Sequence, residues 1–126
     1  MNAEALRRHL EREIDGEVRF DSVSRALYST DASVYQIEPL GVVVPRSREA
    51  LIATVRICAE ARAPMTMRGG GTSQAGQAIG AGIVIDTSKH INRLLDLKVE
   101  QRWALIEPGI VLDELNAQLR PHKLRF

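Results

Sequence analysis

The sequence has one cysteine, almost no imbalance of charge and no long apolar run. Each shortage removes a class of protein. The lone Cys58 rules out an internal disulfide framework, lies in an apolar, helix-like run and fits a reducing compartment. Seventeen Lys and Arg against sixteen Asp and Glu leave a net charge of +1. No bulk field therefore selects nucleic acid or an anionic membrane as a partner. No stretch reaches the roughly 18 apolar residues that a membrane-spanning helix needs, and no charged start with an apolar follow-on resembles a secretory signal. The expected location is the cytoplasm. His9, His90 and His122 lie far apart, without a companion Cys or carboxylate at ligand spacing, so no metal site is expected.

What is present is patterned as one mixed α+β unit of 126 residues. "AEALRRHLEREI" places Leu6, Leu10 and Ile14 four residues apart, which predicts a one-sided helix over residues 3–14. Residues 15–40 show no sustained period and are assigned to loops, with a short helix near 31–35. "GVVVP" predicts a buried strand over 41–45. Ser47 then caps a helix whose expected inner face carries Leu51, Val55, Cys58 and Ala59, with Pro64 ending it. Further strands are predicted at 65–67 and 82–88, giving a parallel three-stranded lobe with a right-handed crossover. "LLDLKV" and "WALIEP" read as an antiparallel pair, and Leu112, Leu115 and Leu119 mark a closing helix. Trp103 is expected to pack on the sheet. The fold class is thus α+β: a small parallel sheet lobe flanked by helices, then the start of an antiparallel lobe.

The stretch "RGGGTSQAGQ" at 68–77 carries the chemistry. Six of the nine glycines fall between Gly69 and Gly82, and no charged residue occurs from Gly69 through Ile85. Consecutive glycines expose backbone N–H groups and permit close approach of a bulky oxyanion. Thr72 and Ser73 add hydroxyl donors, and Arg68 stands as a cation at the mouth. The P-loop pattern fails because its lysine is missing, and the dinucleotide fingerprint fails because no helix follows the glycines. The residues alone leave two readings standing, a loop-backbone seat for a diphosphate and an ordinary glycine-rich connection. Asp86, Asp113 and Glu114 form no convincing acid–base pair, since Asp86 ends a strand and the other two lie on the polar face of a helix.

Order adds what spacing does not. The proline-ended strand, the R-G-G-G-T-S loop, "IVIDTS" and "PGIVLDELN" succeed one another over residues 40–126. Together they resemble the amino-terminal part of the FAD-linked oxidases related to vanillyl-alcohol oxidase and p-cresol methylhydroxylase. "YSTDASVYQIEPLGVVVPR" extends the resemblance toward the branch with glycolate, D-lactate and D-2-hydroxyglutarate dehydrogenases. The resemblance implies residues 1–38 as an N-terminal helix and connecting segment, and residues 39–126 as the first part of an FAD-binding domain. It implies that Arg68, Gly69, Gly70, Gly71, Thr72 and Ser73 seat the FAD pyrophosphate and that Gly76 and Gln77 continue toward the flavin. Pro45 would lie near the adenine end, with Pro108 and Gly109 approaching from the antiparallel lobe.

Relatives that attach FAD covalently through this loop carry a histidine where Thr72 stands, so noncovalent FAD is expected. Family members continue into a substrate cap that supplies the catalytic base. The chain is therefore expected to be a truncated piece of an oxidoreductase acting on a D-2-hydroxy acid, without a catalytic base of its own. Some relatives add an iron–sulfur domain, for which this chain has no ligands, and the parent would be cytoplasmic or peripheral to a membrane. The rival expectation is a noncatalytic module that binds a partner, or forms a homodimer, through surface exposed by truncation.

Overall fold

A β-branched run with no polar alternation belongs in a strand covered on both faces. Strand β2, Gly41–Pro45, is such a run, and all its residues are buried in the computed structural model, which describes residues 2–126. Its side chains divide by parity. Val43 joins Ile83 and Ile85 of strand β4 (Ile83–Asp86) in a core with Leu6, Leu10, Ile57 and Cys58. Val42, Val44 and Val84 point to the other face, where Tyr28 packs on them. Two helices, α1 (Ala3–Glu13) and α3 (Arg48–Glu60), supply the first cover, and α2 (Ser22–Leu27) lies against β2.

The helix starts follow the caps. Asn2 Oδ1 accepts from the backbone N–H groups of Glu4 and Ala5, and Ser47 Oγ accepts from that of Ala50 at 3.1 Å. Leu6, Leu10 and Ile14 are buried as their spacing requires. Helix α3 turns a different face inward than expected: Ala50, Thr54, Ile57 and Cys58 are buried, while Val55 and Ala59 are exposed. Thr54 is tolerated inside because its hydroxyl donates to the Ala50 carbonyl at 2.8 Å. The helix ends before Pro64, with Arg62 in the left-handed region at φ 52°.

The sheet has four strands in the order β1-β2-β4-β3, with β3 at Met65–Arg68. β2, β4 and β3 are mutually parallel through β4, whereas β1 (Gly16–Arg19) runs antiparallel to β2. The expected three-stranded lobe thus gains an edge strand from a region expected to be loop. Neither β1 nor α2 carries a legible period. β1 has four half-buried residues, and α2 buries Ser24 while exposing Val23 and Leu27. Asp21 starts α2 by accepting from the Ser24 N–H at 2.8 Å. The helix expected near 31–35 does not form. Asp31 and Ser33 capture the N–H groups of Ser33 and Tyr35 at 2.9 and 3.1 Å, and Thr30 pairs with Gln36.

Strands β5 (Leu94–Lys98) and β6 (Trp103–Ile106) form the expected antiparallel ribbon, separate from the first sheet. Trp103 is exposed on it rather than packed. Helix α4, Leu112–Leu119, buries Leu115 and Leu119 but leaves Leu112 exposed.

Candidate functional site

In parallel sheets, ligands gather beyond the carboxyl ends of the strands. Here Arg68 stands opposite Asp86, and Val43 opposite Ile85, so β2, β3 and β4 all end at one edge. Residues 69–82 leave that edge and return to the start of β4 without a helix, as the glycine pattern requires. Pro45 is buried at the same edge, with β4 standing between its strand and β3.

The amide donors of the loop's first half are unspent. Among the described residues, none of the backbone N–H groups of residues 69–74 donates a hydrogen bond. Six successive amides without protein partners form a donor set suited to an anion with several oxygens. Space is available beside them. A Cβ on Gly70 would meet only the Thr72 methyl at 3.8 Å, and one on Gly69 only the Pro108 carbonyl oxygen at 3.8 Å. Thr72 is exposed and its hydroxyl makes no bond among the described residues. Ser73 is different: its hydroxyl bonds the Gln77 side-chain oxygen and accepts from the Ala75 and Gln77 amides, so it shapes the loop from within. Gly76 lies over Tyr35, whose ring would stand 3.1 Å from an added Cβ.

A second segment closes on the loop's first residues. Thr87 donates from N and Oγ1 to the Arg68 carbonyl at 2.9 and 3.1 Å. The Gly109 N–H donates to the Ile91 carbonyl at 2.8 Å, and a Cβ there would fall on the Thr87 carbonyl oxygen. Pro108 and Gly109 therefore belong beside Gly69 and Thr87. Glu107 pins that turn. Its buried carboxylate accepts from the Arg93 backbone at 2.9 Å and from the Arg93 guanidinium at 3.2 and 3.0 Å. Those guanidinium bonds come first among the causes that hold its carboxyl below the usual range.

Arg68 is placed differently from the expected cation at the mouth. Its Nη1 donates to the carbonyls of Thr30 and Ala78 at 2.8 and 3.3 Å. The guanidinium carbon lies 5.2 Å from the centre of the Tyr28 ring. Tyr28 in turn donates its hydroxyl to Asp86 at 2.6 Å. Burial, and then this bond, push the phenol up to about 12. Asp86 is completed by the Ser88 N–H and hydroxyl at 2.8 and 2.7 Å. It is spent on structure, as is Asp31, which accepts from the Ala78 amide at 3.3 Å.

Sequence spacing missed Tyr28, Asp31 and Asp86 as neighbours of the loop. For Tyr28 and Asp31 the signal lay in "YSTDASVY", which marked a branch by resemblance but whose contact with residues 68–78 required the fold. Cys58 offers no nucleophile, since burial raises its thiol to about 11. Among the described residues no group of His, Cys, Asp and Glu is arranged to hold a metal ion, and no helix is long and apolar enough to cross a membrane.

Comparison with known proteins gives the family and the fold. A family model described as an FAD binding domain matches residues 39–126. The chain is 41% identical over 114 residues to D-2-hydroxyglutarate dehydrogenase of Pantoea ananatis, covering 88% of this chain and 11% of that protein. It is 33% identical over 110 residues to glycolate oxidase subunit GlcD of Bacillus subtilis, covering 83% of this chain and 23% of the relative. Among solved structures, an alkyldihydroxyacetonephosphate synthase matches with a TM-score of 0.80 at 20% identity, over 96% of this chain and 27% of that one. p-Cresol methylhydroxylase matches with a TM-score of 0.69 at 19% identity, over 97% and 24%. The likeness at such low identity is one of fold. The chain thus spans a small part of the length of these relatives.

Proposed function

The chain belongs to the FAD-binding-domain family, and from that premise we propose that its glycine loop seats the diphosphate of a noncovalently held FAD. The single observation that carries the reading is the run of partnerless amides at residues 69–74 beside the open faces of Gly69 and Gly70. A diphosphate brings oxygen acceptors to donors that the fold leaves unused. Backbone dipoles do not titrate, so the seat holds its polarity across the pH range. The Thr72 hydroxyl adds a donor and, lacking a nucleophilic imidazole, forms no bond to the flavin. Gly76 and Gln77 continue toward the flavin, Pro45 faces the adenine end, and Pro108 with Gly109 borders the seat beside Gly69. Residues 39–126 are the first part of the FAD-binding domain, and residues 1–38 precede it with α1, β1 and α2, which pack on the same sheet.

The parent is an oxidoreductase that acts on a D-2-hydroxy acid of the lactate, glycolate or 2-hydroxyglutarate kind. The identities to relatives with those names support this reading. When bound, FAD supplies the hydride acceptor, while the protein supplies position and electrostatics. In this reading the residues of this chain bind and orient the cofactor, and the base comes from elsewhere in the parent.

A second reading rests on the ribbon. Its trough of ≈ 550 Å³, lined by Trp103, Ile106, Leu115 and Leu119 together with Arg102, Lys123 and Arg125, favours a module that binds a partner or a copy of itself, the alternative in which the chain does not retain FAD alone. Titration with FAD followed by flavin fluorescence, with sedimentation of the same samples, separates the two. Stoichiometric binding by a monomer supports the first. Association without any binding of FAD would sink it for this chain and support the second.

A further inference from the structure

Arg68 meets the loop at both limbs. Its guanidinium donates to Thr30 on the strap of residues 28–36 and to Ala78 at the loop's far end. It also occupies the space under Gly71, where φ is +68° and an added Cβ would stand 2.5 Å from Nη2. The strap reaches the same loop twice more, through the Ala32 N–H to the Gly71 carbonyl at 3.1 Å and through Asp31 to the Ala78 amide. Below, the Tyr28 ring supports the guanidinium and is itself fixed by Asp86.

We propose that Arg68, with the strap at Asp31 and Ala32, is a positioning residue that fixes the shape of the glycine loop before a ligand arrives, and that it acts through carbonyl bonds rather than by pairing with phosphate. The part of the proposal that concerns FAD rests on the reading of the loop as a diphosphate seat. The physical basis is the geometry of the side chain. A guanidinium is a rigid planar fork with five donors, able to bond two carbonyls and stack on a ring at once, whereas lysine is a point charge on a flexible stem. Fixing a loop in its bound shape raises affinity by reducing the ordering cost of binding. Arg68→Lys therefore keeps the charge and loses the brace.

The experiment compares wild type, Arg68→Lys, Arg68→Met and Asp31→Ala in the full chain. Amide exchange at Ala32 and Ala78 is measured by NMR without FAD, and FAD affinity by fluorescence titration over a salt series. Both Arg68 variants are expected to lose protection at the two amides. They should weaken FAD alike, by roughly 10- to 100-fold, the range spanned by hydrogen bonds from charged donors. Their salt dependence should match that of wild type. Asp31 lies outside both core clusters, so Asp31→Ala tests the strap without touching packing. It should speed exchange at Ala78 and weaken FAD by a smaller factor, and unchanged affinity would overturn the strap's part. Affinity restored by lysine, together with a flatter salt slope in the Met variant, would overturn the proposal in favour of direct phosphate pairing. So would unchanged exchange at both amides. If wild type binds no FAD, the cofactor reading fails, and the exchange measurement alone decides whether Arg68 shapes the loop.

Discussion

Val84 and Ile85 in β4 are 0% exposed, whereas Leu105 and Ile106, in the equally short β6, are 54 and 39% exposed. The two strands are alike in residue type and length, so neither propensity nor hydropathy explains the gap. The number of layers does. β4 has a strand on each side and cover on both faces, while β6 pairs only with β5. Burial is thus conferred on a strand by its neighbours. The candidate site lies where the two regions meet, with the glycine loop leaving the buried sheet and Pro108–Gly109 arriving from the ribbon.

Truncating one residue in each region tests this contrast most severely. Ile85→Ala should cost about 2–5 kcal/mol, as buried Ile and Leu truncations do, and Leu105→Ala should stay within about 0.5 kcal/mol. Urea unfolding measures both. Equal losses would mean that the ribbon is covered in solution, and a midpoint that rises with protein concentration would identify the cover as another copy.

Glycine replacements probe the junction. Gly109→Val places a side chain on the Thr87 carbonyl oxygen, so it should lower the thermal midpoint by several degrees. Gly70→Val meets no backbone, so it should leave that midpoint within a degree or two while weakening FAD at least about tenfold. Equal FAD affinity for Gly70→Val and wild type would remove the loop from the cofactor site.

Weaker effects are expected in pH, and they divide the regions by sign. In the sheet lobe, the folded Tyr28 phenol is raised above its unfolded value of about 10. Its contribution to stability is complete below pH 10 and is lost as pH rises through about 12. At the ribbon, Glu107 is held below its ordinary value of about 4.3. Its contribution is present above that pH and is lost as pH falls through the folded value. Stability-versus-pH curves for Tyr28→Phe and Glu107→Gln, each against wild type, should diverge at opposite ends of the scale. A difference for Glu107→Gln that stays flat through the acid range would exclude the Arg93 pairing.

Much of the chain could be read from local pattern, because its strongest elements repeat a single physical signal. Leu6, Leu10 and Ile14 share one helix face, Val42, Val43 and Val44 leave no polar side, and Ser47 caps helix α3. The glycine run marked the loop by composition, since no other residue exposes so many amides without adding bulk, and left an anion seat and a plain connection as its two readings. Elements built from mixed half-buried residues stayed silent: β1 exists because β2 offers an edge, and α2 because Asp21 caps it and Tyr28 packs beyond its end.

Arg68 shows the same limit at the site. Its position beside three glycines suggested a cation for phosphate, because sequence records adjacency along the chain. Only the tertiary structure brought Thr30 and Ala78 within reach of its fork and Tyr28 beneath it. The sequence alone determined where a run of glycine amides without side-chain bulk would stand. The fold decided what holds them in place, since the bonds that shape the loop come from residues nearly forty positions away.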